Sequence, residues 1–148
     1  MFARKLGFCA SVLLILCTTA CTSGSLEPPT PTPDPCGPGQ ISRYVDAIQR
    51  VEFRFNDVVA IASVTSRENL AAVIEDLEEI REEAEELQVP SCAVNARSAL
   101  VIYIDATIEA YEAILADQPA ADVNSALQRA AELRDAYFDA MAEVGGEQ

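Results

Sequence analysis
From Ile41 onward, apolar residues recur in steps of three and four, the spacing that winds side chains onto one face of an α-helix. Ile41, Val45, Ile48, Val51, Phe55, Val58 and Ala62 form a first stripe, and Leu70, Val73, Leu77, Ile80, Ala84 and Leu87 a second. Val94, Val101, Ile104, Ile108, Tyr111 and Leu115 form a third. Val123, Leu127, Ala130, Leu133, Tyr137, Met141 and Val144 form a fourth. Four amphipathic helices are predicted.

The breaks between stripes carry helix-end chemistry. Thr65-Ser66-Arg67-Glu68 has the spacing of a capping box, in which Thr65 accepts from the Glu68 amide and the Glu68 carboxylate reaches back. Pro90 and Pro119 suit the first turns of the third and fourth helices, where no amide proton is needed. Gly145-Gly146 ends the last helix. Helices of ~20–27 residues joined by such short turns run antiparallel. The predicted fold of residues 37–148 is therefore all-α, an up-down-up-down four-helix bundle, with room for one domain and one core.

Some apolar residues lie off the stripes. Phe53 points away from Phe55, Phe138 follows Tyr137, and Ile102 and Tyr103 leave residues 99–104 apolar nearly all round. Wide stripes around an enclosed third helix account for them. An exposed patch for a partner or for self-association is the alternative.

The chain in front of the bundle is different. Residues 22–35 read T-S-G-S-L-E-P-P-T-P-T-P-D-P, with five prolines between Pro28 and Pro35. Proline fixes φ and removes donors, so an extended polyproline II tether is expected, about 40 Å long at ~3.1 Å per residue. Before it, Arg4 and Lys5, an apolar run from Leu6 to Leu16 and the small residues Thr18-Thr19-Ala20 compose an export signal over residues 1–20. The apolar run is too short for the ~20 residues of a membrane span. Ala20-Cys21 at its end resembles the cleavage site of bacterial lipoproteins. That resemblance covers the signal alone, and it implies a diacylglyceryl thioether on Cys21 as the mature N-terminus. Thr18-Thr19-Ala20 would also serve an ordinary signal peptidase, leaving a secreted protein as the alternative.

Cysteine arithmetic bears on the same choice. Cys9 and Cys17 leave with the signal, so Cys21, Cys36 and Cys92 remain. An odd count in an exported chain calls for an explanation. With Cys21 acylated, Cys36 and Cys92 form one pair in an oxidising compartment. Cys36 precedes the first helix and Cys92 opens the third, and these starts share one end of an up-down-up-down bundle. A bridge there closes a loop of about 57 residues, which by chain entropy contributes about 4 kcal/mol.

Charge narrows the function classes. Residues 21–148 hold eight Arg and no Lys against 24 acids, a formal charge of −16, and the chain has no histidine. This balance argues strongly against nucleic acid or anionic lipid as a partner, since both need a basic surface. Without histidine or a mature lysine, most general-base and Schiff-base chemistry is absent. No phosphate-binding glycine loop or Gly-x-Ser-x-Gly elbow occurs, and Asp122-Val-Asn124-Ser lacks the glycine and distal glutamate of a calcium loop. A di-iron bundle needs Glu-x-x-His pairs that this chain cannot supply. The strongest local signal is the run from Glu75 to Glu86, whose acids all avoid the apolar stripe. Glu75/Glu79, Glu78/Glu82, Glu79/Glu83 and Glu82/Glu86 are like-charged at i,i+4, each unfavourable by roughly 0.2–0.5 kcal/mol. A solvated face, bound divalent cations or a basic partner would each fit.

The expectation from sequence is a non-catalytic envelope lipoprotein, anchored to the membrane at Cys21, whose acidic helical domain contacts other proteins. No catalytic residue, metal site or cofactor is assigned. The alternatives are a binding module for a small apolar ligand or divalent cations and, less favoured, an enzyme of unrecognised type.

Overall fold
A computed structural model describes residues 32–146. The signal, Cys21 and most of the tether lie outside them. Among the described residues there are four α-helices and no strand: α1 Pro38–Val64, α2 Leu70–Glu86, α3 Val94–Leu115 and α4 Ala120–Gly146. The fold is an all-α bundle. None of these helices is long and apolar enough to cross a membrane.

Each helix packs on its neighbour in the sequence, and α4 closes back on α1. The α3–α4 seam is the tightest and the α1–α4 seam the loosest. Ile41, Ile48, Val51 and Phe55 from α1 meet Leu77, Ile80 and Ala84 from α2, Ala96, Leu100 and Ile104 from α3, and Tyr137 and Val144 from α4 in one core. A smaller cluster of Ala62, Leu70 and Val73 fills the end where α1 turns into α2. Helix α4 enters the core on a strict seven-residue repeat, Ala130, Tyr137 and Val144. Half-buried Ala140 and Met141 pack against the core beside them.

The first two stripes are buried as the periodicity predicts, Val45, Val58 and Leu87 being half-buried at their edges. The third is shifted. Ile104 and Ile108 are buried as predicted and Val101 and Tyr111 half-buried, but Val94 and Leu115 are exposed, and Ala93, Ala96, Leu100, Ala106, Thr107, Ala110 and Ala113 are buried as well. Alanines on two sides of α3 let α2 and α4 approach closely, which makes α3 the most enclosed helix. Leu127 of the fourth stripe is also exposed.

The helix ends differ from the capping prediction. Thr65 is the last residue of the α1 turn, and its hydroxyl donates back to the Ile61 carbonyl at 2.7 Å. It is therefore not free to cap α2, which is entered through a 3₁₀ turn at Arg67–Asn69 without a side-chain cap. Pro90 likewise precedes a 3₁₀ turn, Ser91–Ala93, one step outside the expected first turn of α3. Pro119 lies just before α4, and its carbonyl accepts from the Asp122 and Val123 amides. Helix α3 stops in a Schellman arrangement, with Gln118 N–H on the Ala113 carbonyl and Asp117 N–H on that of Ile114. Asp117 takes the left-handed backbone this requires, φ 55°. It also pairs with Arg67, which ties the α1–α2 and α3–α4 turns together at one end of the bundle.

Candidate functional site
At the opposite end, Cys36 and Cys92 lie at disulfide-bonding distance, their Cα atoms 6.0 Å apart. Local geometry holds Cys36 there. Its amide donates to the Asp34 carboxylate at 2.9 Å, and the next amide, Gly37, donates to the Asp34 carbonyl at 2.9 Å. A side chain at Gly37 would meet that carbonyl at 3.2 Å, so the turn favours glycine. Cys92 sits in the 3₁₀ turn that opens α3. The pair brings the chain's entry into α1 beside the start of α3.

Midway along the α1–α4 seam lies a polar group that the hydrophobic pattern does not signal. Glu52 is 9% exposed. Its carboxylate accepts from the Tyr137 hydroxyl of α4 at 3.2 Å and from the Asn56 amide at 3.2 Å. Tyr137 is fully buried. Burial, then the Glu52 charge and the hydrogen bond to it, push its phenol well above the ordinary value near 10. The Tyr103 ring lies between, 5.0 Å from Phe55 in an edge-on contact and 6.4 Å from Tyr137 in a stacked one. Phe138 continues the series outward, 5.2 Å from Tyr137. No buried side-chain polar atom lacks a partner among the described residues.

The acidic face is partly neutralised. Arg54 of α1 pairs with Glu83. Arg81 bonds Glu85 at 3.2 Å and reaches Asp105 of α3 at 3.6 Å. Burial, opposed by Arg81 and reinforced by Glu85 and Glu109, raises the Asp105 carboxyl above the usual range. Arg97 of α3 donates to the Leu87 carbonyl at 3.2 Å, placing a cation at the C-terminus of α2, where the helix dipole favours one. Arg129 pairs with Glu109, away from α2. Among the described residues, Glu75, Asp76, Glu78, Glu79, Glu82 and Glu86 enter no ion pair.

Chemically this arrangement offers little. No three Cys, Asp or Glu side chains converge as a cation site among the described residues. The depressions between helices are open surface grooves. One of about 390 Å³ beside the cysteine pair is lined by Ser91, Asn95, Ala140 and Glu143, and one of about 280 Å³ by Glu85, Arg97, Ser98, Val101 and Ile102. Outside the core, Phe53, Ile61, Val64, Ile102, Leu127 and Phe138 are exposed apolar side chains. Comparison with protein-family models, with characterised proteins and with solved structures finds no match to this chain.

Proposed function
We propose that this protein is a non-catalytic envelope lipoprotein that holds an acidic helical domain on a proline-rich tether for contact with other proteins. The observation that carries the reading is a filled core beneath exposed apolar side chains, Phe53, Ile102 and Phe138 among them. A ligand module of this architecture needs space between its helices. A contact module needs a packed interior and apolar area outside it. The cysteine pair adds support. It secures the bundle where the tether residues lead into α1, so pulling on the tether would load the α1–α3 clasp rather than unwind the first turn of α1.

Anchoring is tested by fractionation. Cys21→Ser, expressed as the full chain, is expected to move from the membrane pellet to the soluble fraction, while wild type stays with the membrane. Equal membrane association of both proteins would contradict the anchor.

A further inference from the structure
The exposed apolar residues of α1 and α4 are not scattered. The 3.2 Å Tyr137–Glu52 hydrogen bond sets the two helices level with one another. Because α1 and α4 run in opposite directions, one residue forward along either helix turns to the same flank of their seam. Phe53 and Phe138 therefore lie on that flank at one level, 63% and 49% exposed. Seven and eleven residues onward from Phe53 come Ala60 and Val64. Seven and eleven residues back from Phe138 come Ala131 and Leu127. Steps of seven and eleven keep to one side of a helix, so the flank carries two matched rows, Phe-Ala-Val on α1 and Phe-Ala-Leu on α4. All six side chains are exposed.

We infer that this α1–α4 face is the surface on which a second copy of the chain docks. Three features select a copy of itself. First, the rows match each other. A two-fold axis parallel to the helices sets α1 against the partner's α4, which brings aromatic to aromatic, alanine to alanine and Val64 to the partner's Leu127. The small central residues let the helices approach. Second, charge leaves no better face. The chain carries a formal −14, and eight of its carboxylates lie on α2, which this axis turns outward. The α1–α4 face carries Gln49, Asn56 and Arg134 between its rows, Arg134 being paired with Asp135, and Asp46, Asp57, Asn124 and Asp135 lie at its rim. Third, the area suffices. Each helix has 27 residues, a length of ~40 Å, and two side by side span about 20 Å. A face of roughly 800 Å² is the per-partner area of a standard stable interface. This axis also leaves both Cys36 ends at one end of the dimer, as two tethers rooted in one membrane would require. The dimer itself does not depend on that anchoring.

The test is photo-crosslinking of the full chain in intact cells, with benzoylphenylalanine placed in turn at Phe53, Phe138 and Glu82. The aromatic probe preserves the native shape at the two phenylalanines. A covalent species of twice the chain mass is expected from Phe53 and Phe138, and none from Glu82 on the acidic face. Monomer alone at both phenylalanines, an adduct with a different protein there, or an equal dimer yield from Glu82 would each overturn the proposal. Sedimentation of purified protein gives a second reading. Wild type is expected to run as a dimer, and Phe53→Glu combined with Phe138→Glu as a monomer with unchanged helical circular dichroism. Wild type running as a monomer would overturn the proposal as well.

Discussion
Glu52 is the residue on which the α1–α4 seam turns. A 9% exposed carboxylate has two donors and, among the described residues, no ion-pair partner, and one of those donors belongs to the other helix. Removing the hydroxyl leaves a buried acceptor short of a partner, so Tyr137→Phe is expected to cost about 1.5–3 kcal/mol in urea denaturation. A loss below about 0.5 kcal/mol would mean that the bond contributes nothing net. The same phenol sets an alkaline limit. Its folded pKa is raised above its unfolded value near 10, so its contribution is fully present below pH ~10. Above that pH the unfolded chain loses the proton first, and stability falls as pH rises. Tyr103 and Tyr111 are raised in the same direction by burial. The melting temperature should therefore decline beyond pH ~10, and decline less steeply in Tyr137→Phe. Glu52 was not legible in the sequence. A charged residue beside Val51 reads as the polar edge of a stripe, and only the position of Tyr137 across the seam makes it interior.

At the scale of elements, legibility followed side-chain size. Helices α1 and α2 are buried through large aliphatic residues, whose spacing is unambiguous. Helix α3 buries Leu100, Ile104 and Ile108 but also five alanines from Ala93 to Ala113, which periodicity weighs little, so the larger Val94 and Leu115 drew the ends of the predicted stripe off the true one. The capping box failed for a different reason: the α1–α2 connection is so short that Thr65 ends one helix and cannot begin the next. The unfavourable charge of α2 was legible, as was its partial relief by Arg81 within the helix, whereas the relief from Arg54 and Arg97 depended on the packing of α1 and α3. That relief is incomplete. Added sodium chloride is expected to raise the melting temperature by screening the unpaired acids. Calcium at equal ionic strength should add nothing more, because hard cations need several oxygen ligands together and no such cluster is present among the described residues. Calcium binding tighter than millimolar by calorimetry would contradict this.

For the whole molecule, topology was legible because two independent signals agreed. Short turns imply an antiparallel bundle, and that bundle places the start of α1 beside the start of α3, where Cys36 and Cys92 meet. The candidate contact face was only half legible. Phe53 and Phe138 stood out individually, but their shared flank follows from the pairing of α1 with α4. The central claim concerns three cysteines, one for the membrane and two for the fold, and one digest of protein isolated from the envelope reads all three. Without residues 1–20 the chain has arginine as its only tryptic site, so residues 21–43 would hold both Cys21 and Cys36, and residues 82–97 hold Cys92. Mass spectrometry without reduction is expected to find these two peptides joined, with acyl chains on the first, and reduction should release residues 82–97 unmodified. An unacylated 21–43 peptide bridged internally between Cys21 and Cys36, with Cys92 as a free thiol, would contradict both the anchor and the clasp.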